Sequence, residues 1–330
     1  MSCALAAGWP HEKIRSNEMI LAFDEQISRM EVHANGGELA TLLGKDRDAN
    51  GERVYAYPNE MSQHVVTFDD PVLITDYHRI GELGDKDPSL RDTVAALYGT
   101  RWRTTRYGTT QIEFQQSRYP GVWGPSIDTL LVCRALCEMD MSEVKTFIEI
   151  GAGSGFISKF LLEHFDTLER GTMVDMMPAS IECCQASIHD TRARFYTGDG
   201  LEFLETARAD LVLSNPPYIP RPRAIDDNPY EGVSLLVEMI EKADAYLNPG
   251  GSLILNLSSL CRSIADEAIE RAGLQAEVID KMTVPLKVYN VLNNPIWLNY
   301  LVEEKGMAPN RRQGYDYWHD LEIVRLTRRA

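Results

Sequence analysis

The chain has 330 residues, 44% apolar and 25% charged, which excludes intrinsic disorder and fibrous repeats and suffices for one large core with a smaller appended module. No run reaches the roughly 18 consecutive apolar residues of a membrane span, and the first ten residues lack a basic stretch ahead of an apolar one, so the expected location is cytoplasmic, with no membrane partner. Forty-nine acidic residues against 33 basic ones give a net charge of −16, which repels a phosphate backbone and disfavours nucleic acid as a partner.

In chain order, residues 18–30 can form a helix, and 54–57, 64–68 and 72–74 read as strands, interrupted by Asp69-Asp70-Pro71 and the polar stretch 81–87. Residues 102–107 and 109–114 suggest a hairpin around Gly108. Arg101, Arg103 and Arg106 read as a solvated face or an anion-binding patch, the solvated face being the simpler account. After Pro120-Gly121-Val122-Trp123-Gly124-Pro125, Ser126 can cap a helix through Leu130, Leu131, Cys133 and Cys137. The boundary expected near residue 120 makes 1–120 a mixed α+β substrate or lid domain and 121–330 the main domain. The six cysteines have no metal spacing, so buried free thiols are expected and no metal.

From Phe147 onward short apolar runs alternate with helical patterns, the signature of an α/β fold with a mostly parallel sheet. Strands are expected at 147–150, 172–174, 193–196, 210–214 and 252–256. Ile157, Phe160, Leu161, His164 and Phe165 form one face of a helix, on which His164 reads as a packing residue. Residues 276–279 and 321–326 look like two closing strands, and the link between them, with Trp297, Tyr300, Tyr315, Tyr317, Trp318 and His319, far exceeds a hairpin loop. An insertion is therefore expected at about 284–318.

Four strand ends carry the chemistry. Glu149-Ile150-Gly151-Ala152-Gly153-Ser154-Gly155-Phe156 joins a strand to a helix, and its glycines let the backbone turn sharply and approach a ligand, a dinucleotide being an open option on this stretch alone. Val174-Asp175-Met176 places a carboxylate where it can accept from both hydroxyls of a ribose. The Asp of Gly198-Asp199-Gly200 can receive the exocyclic amine of adenine, although either acid alone also reads as a loop or cap carboxylate. The strongest signal is Asn215-Pro216-Pro217-Tyr218, where two prolines make a donor-free segment with carbonyls available to a ligand and Asn215 adds a side-chain oxygen.

With these residues the chain resembles the class I S-adenosylmethionine (SAM)-dependent methyltransferases that modify amino nitrogens. Ser214 to Pro220 is most similar to the HemK/PrmC-type release-factor glutamine N5-methyltransferases, over roughly residues 120–283. The resemblance implies a Rossmann-like, mostly parallel seven-stranded sheet and SAM as cofactor. It implies that Gly151, Gly153 and Gly155 line the methionine part, that Asp175 holds the ribose and that Asp199 lies at the adenine. Glu149, Ala152, Met176, Gly200 and Asn215 complete the expected cofactor set. Asn215 and the Pro216 carbonyl are expected to bind the acceptor NH2, with Tyr218 beside it. Pro125-Ser126-Ile127-Asp128 matches in part a Pro-x-Glu-Thr-Glu-like stretch of that family.

Three segments depart from the pattern. The first 120 residues do not read as the family's small helical bundle, Leu257-Ser258-Ser259 stands where an acidic-Ile-Gly ending is common, and the aromatic insertion has no counterpart. Asn228-Pro229-Tyr230-Glu231-Gly232 reads equally as a border of the acceptor pocket or as a surface turn.

The residues agree with the chemistry. Methyl transfer from a sulfonium is an in-line displacement, so alignment and exclusion of water are the enzyme's main tasks. A planar amide or aryl amine is a weak nucleophile, and two acceptors on its two N–H groups orient the nitrogen and stabilise the charge that develops there. The expected function is N-methylation of an amide or amine, in a protein glutamine or a small molecule. Two alternatives are a non-methylating SAM cyclase resembling azetidine-2-carboxylate synthases, which would release methylthioadenosine, and a catalytically silent binding subunit.

Overall fold

Apolar strands need cover on both faces, and the chain supplies it by alternating strand and helix. The computed structural model describes residues 31–34, 38–41, 102–115, 118–119, 122–125, 127–223, 232–286, 291, 294–312 and 315–329. The elements expected at 18–30, 54–57, 64–68 and 72–74 lie outside these residues, as do Ser126 and the 228–231 stretch.

Strands β1 (Glu31–Ala34), β2 (Glu38–Thr41), β3 (Trp102–Tyr107) and β4 (Thr110–Phe114) form an antiparallel sheet in the order β2-β1-β3-β4. The hairpin expected around Gly108 is the β3–β4 pair. Then follow α1 (Ile127–Glu138), β5 (Thr146–Ile150), α2 (Phe156–His164), β6 (Arg170–Asp175), α3 (Pro178–Ser187) and β7 (Ala193–Thr197). The chain continues through α4 (Gly200–Thr206), β8 (Ala209–Ser214), α5 (Ser234–Glu241), α6 (Ala243–Tyr246), β9 (Leu247–Ser258) and α7 (Arg262–Arg271). It closes with β10 (Leu274–Pro285), α8 (Pro295–Glu303), β11 (Pro309–Arg312) and β12 (Tyr315–Arg328).

The central sheet runs β10-β12-β9-β8-β5-β6-β7, and β11 pairs outside this path with β12. Strands β5 to β9 are parallel, while β12 lies antiparallel between β9 and β10. From β5 the chain winds outward through β6 and β7, then returns to place β8 on the other side of β5. That reversal opens a crevice at the carboxyl ends of β5 and β8, where open α/β sheets hold ligands.

Side chains alternate between the two faces, as the period of a strand requires. Phe147, Leu211, Leu213, Ile254 and Ile323 pack with α1 and α2, whereas Ile148, Val212, Leu253, Leu255 and Val324 pack with α5 to α7. The hairpin rests on α2: the Tyr107 ring meets Phe160 edge-on at 5.6 Å, and the Thr110 hydroxyl donates to Glu163 at 2.6 Å. His164 stacks on Phe160 at 4.2 Å and is a packing residue of this contact.

The two closing strands are longer than expected. Asp280, Lys281, Asp320 and Glu322 interrupt the apolar pattern, but Lys281 Nζ lies 2.8 Å from Asp320 and 3.0 Å from Glu322, so charges are paired across the β10–β12 ladder. The inserted segment is correspondingly shorter and carries α8 and β11.

Candidate active site

All the expected site residues gather at the carboxyl edge of the sheet, at or just beyond the ends of β5, β6, β7 and β8. The bend after β5 needs its glycines. Gly153 (φ 53°) and Gly155 (φ 78°) are left-handed, and a Cβ on them would stand 2.9 Å from the Trp123 carbonyl oxygen and 2.9 Å from Cys184 Sγ. Above Gly151 the situation is reversed: among the described residues, nothing lies within 4 Å of where a Cβ would be.

The backbone amides of this bend are already used. Those of Gly151 and Ala152 donate to the Val174 carbonyl, Gly153 to Asp175 Oδ2 at 2.9 Å, Ser154 to the Trp123 carbonyl and Gly155 to the Ala152 carbonyl. A pyrophosphate would need such amides open. This bend instead offers close approach beside carboxylates, which suits a cationic sulfonium nucleoside and not a dinucleotide.

Asp175 is buried, accepts from the Met177 amide at 2.9 Å as well as from Gly153, and burial raises its carboxyl above the usual range. Met176 beside it exposes its side chain, as does Tyr196 at the end of β7. Asp199 caps α4, its Oδ1 accepting from the amides of Leu201 and Glu202, and Gly200 lies where a Cβ would collide with Ile150. Glu149 is turned inward: it is 2% exposed and accepts from the Ser158 amide and hydroxyl at the start of α2. Burial pushes its carboxyl up to about 8. Ala152 is buried.

Beyond β8, the Ser214 hydroxyl donates to the Ile150 carbonyl at 2.8 Å and ties the two strand ends together. Asn215 then sits between two partners. Its Oδ1 accepts from Asn256 Nδ2 at 2.9 Å, and its amide donates to Asp128. The Tyr218 hydroxyl donates to the same Asp128 carboxylate at 3.1 Å, and the Thr129 amide does so at 2.9 Å. One carboxylate at the start of α1 thus holds both ends of Asn-Pro-Pro-Tyr. Burial raises the Asp128 carboxyl, against the hydrogen bonds from Asn215, Thr129 and Tyr218. Burial likewise raises the Tyr218 hydroxyl.

Asp128, Asn256, His319 and Trp297 were not among the expected site residues. His319 of β12 lies beside Tyr218 with ring centroids 6.1 Å apart, and its Nδ1 is 2.8 Å from Ser258 Oγ. Burial pushes this imidazole down to about 4, so it is neutral near pH 7. Trp297 of α8 donates from Nε1 to the Pro220 carbonyl at 2.7 Å, and the Arg221 guanidinium lies over its ring at 5.3 Å. With Ile219, Leu260, Leu286, Val291, Leu301 and Met307 it forms a separate small core against Tyr218. The insertion therefore buttresses the end of the Asn-Pro-Pro-Tyr segment. The partial match at Pro125–Asp128 was the sequence signal for Asp128, and an Asn inside an apolar strand was the signal for Asn256.

This contact sets an expectation for stability. Trp297→Phe keeps most of the ring but leaves the Pro220 carbonyl without its donor, so urea denaturation should show a loss of about 1–3 kcal/mol. An unchanged midpoint and slope would show that the Trp297–Pro220 bond does not hold the segment.

A doubly wound sheet with an antiparallel β12, a glycine bend after β5 and Asn-Pro-Pro-Tyr after β8 defines a class I methyltransferase domain. Residues 129–279 match the family model of the methyltransferase small domain. S-adenosylmethionine is the methyl donor of that class. The chain is 28% identical over 186 residues to a release factor glutamine methyltransferase of Moorella thermoacetica, covering 51% of this chain and 65% of that protein. It is 32% identical over 126 residues to the same-named protein of Geobacter sulfurreducens, covering 33% and 44%. A tRNA1(Val) (adenine(37)-N6)-methyltransferase of Pectobacterium carotovorum is 33% identical over 86 residues, covering 24% and 35%. The chain thus spans less than two thirds of each of these relatives. None of the described helices is long and apolar enough to cross a membrane.

Proposed function

We propose that this protein transfers a methyl group from SAM to a planar amino nitrogen, and that the nitrogen is the side-chain amide of a glutamine in a protein. The observation that carries the reading is Asn215 at the switch point of the sheet, its amide oriented by Asp128 and Asn256 and followed by the donor-free Pro216-Pro217 pair. SAM supplies the electrophilic methyl. The chain's own residues align and desolvate. The space above Gly151 admits the methionine end, Asp175 receives the ribose hydroxyls, and Asp199 with the exposed side chain of Met176 borders the adenine. Asn215 Oδ1 and the Pro216 carbonyl accept the two N–H groups of the acceptor, and Tyr218 walls it in. The segment to about residue 120, together with the α8 insertion, would select the acceptor, and the cytoplasm is the proposed location.

A second reading has its own support. A relative named for adenine N6-methylation aligns with the chain, and an adenine amino group presents the same planar NH2. Net negative charge alone is therefore no ground for setting nucleic acid aside. The relatives reported above are all methyltransferases, which favours methyl transfer over the cyclase and the silent subunit.

Calorimetry with SAM should give one site per chain, and Asp175→Ala should weaken it about 10- to 100-fold through loss of charge-assisted bonds to the ribose. Mass spectrometry after incubation with SAM and unmodified cell protein or tRNA should find N5-methylglutamine. N6-methyladenine instead would support the second reading. Methylthioadenosine without any acceptor, or no binding of SAM, would overturn methyl transfer.

A further inference from the structure

Asn256 is an anomaly in its strand. It is 0% exposed, and Leu253, Leu255 and Leu257 around it are buried apolar residues of the kind β9 needs to fill the core. Its Nδ2 donates to Asn215 Oδ1 at 2.9 Å, but its own Oδ1 is buried and has no hydrogen-bond partner among the described residues. A buried acceptor without a donor is a net cost to the fold, and an apolar side chain of the same branching would avoid it. The amide's return lies entirely in what it does to Asn215.

That effect follows from the direction of the bonds. A side-chain amide has two chemically different ends, and it can turn over unless its neighbours distinguish them. Asp128 offers Asn215 an acceptor on one side, and Asn256 offers a donor on the other. Only one orientation satisfies both: nitrogen toward Asp128, oxygen toward Asn256. The amide oxygen has two lone pairs, of which Asn256 takes one and leaves the second for an incoming N–H.

We infer that Asn256 is a positioning residue that fixes the Asn215 amide with its oxygen toward the acceptor. The inference rests on the proposed role of Asn215, but the orientation itself is measurable without any acceptor.

The test uses the full chain with Asn256→Leu, which keeps the branching and removes the donor, and Asn256→Ala in case the leucine overpacks. Nuclear magnetic resonance of the Asn215 side-chain amide, without SAM or acceptor, should show exchange with solvent rising about tenfold in both variants, the equivalent of one hydrogen bond. The melting temperature of the leucine variant should equal or exceed that of the parent, and SAM affinity should stay within about twofold, because the lost bond serves Asn215 and not the core. With glutamine protein or tRNA as acceptor, kcat should fall about tenfold while KM for SAM is unchanged. Unchanged Asn215 exchange in both variants would overturn the inference, as would a melting temperature lowered in both. Failure of the parent protein to methylate either acceptor would count against the functional reading and leave the exchange result standing.

Discussion

Asn215→Ala should lower single-turnover methyl transfer by about 100- to 1,000-fold, the range for removing one preorganised dipole from a site where charge develops. The S–CH3 bond breaks as the N–CH3 bond forms, the sulfur leaves as a neutral thioether and the nitrogen gives up one proton to solvent once it is methylated, so the barrier lies in presenting a delocalised lone pair in line with the sulfonium. In the proposed reading Asn215 Oδ1 serves that purpose; it accepts from Asn256 at 2.9 Å while its nitrogen bonds Asp128. Removing the amide leaves both partners short of a bond in a buried setting, so some loss of stability accompanies the change. The two effects separate when the rate is measured below the melting transition, with SAM affinity determined in parallel. A rate within threefold of the parent would show that Asn215 does not hold the acceptor.

Glu149→Gln should flatten the dependence of stability on pH between about 4.5 and 8. Burial raises the Glu149 carboxyl from its ordinary 4.5 to about 8, so across that window the folded chain keeps a proton that the unfolded chain has lost. Stability then falls as pH rises, by up to about 1.4 kcal/mol per pH unit for one proton, and the loss is complete above the folded value. Asp128 and Asp175, also raised by burial, add a slope of the same sign that begins near the ordinary Asp range. Glutamine keeps an acceptor oxygen for the Ser158 amide and hydroxyl and never ionises. The variant should match the parent near pH 4.5 and exceed it by several kcal/mol at pH 8. Urea denaturation across this range checks it, and parallel pH curves for the two proteins would show that Glu149 ionises normally in the fold.

The short apolar runs from Phe147 to Asn256 specified the strands because a strand buried on both faces must be apolar on both, and the glycines and prolines at their ends specified where ligands can approach. These are local signals, carried by residues within a turn or two of one another. The long β10–β12 arms were not legible because Lys281 and Asp320 look like loop residues until their charges meet across the ladder. Before Phe147 the pattern is less regular, and of the elements read there the hairpin around Gly108 is the one the described residues include.

What the sequence by itself determined is therefore the order of strands and the edge on which the chemistry sits. Only the tertiary structure decided which side chains control Asn-Pro-Pro-Tyr. Asp128 reaches Tyr218 across 90 positions, Asn256 reaches Asn215 across 41, and Trp297 reaches Pro220 across 77. Contacts of that span depend on how helices α1 and α8 and strand β9 pack and in what register, and no local pattern encodes those distances. The glycine bend likewise left a dinucleotide as an option until the amides of residues 151–155 were found paired within the chain, because a backbone donor's availability is set by its neighbours in space.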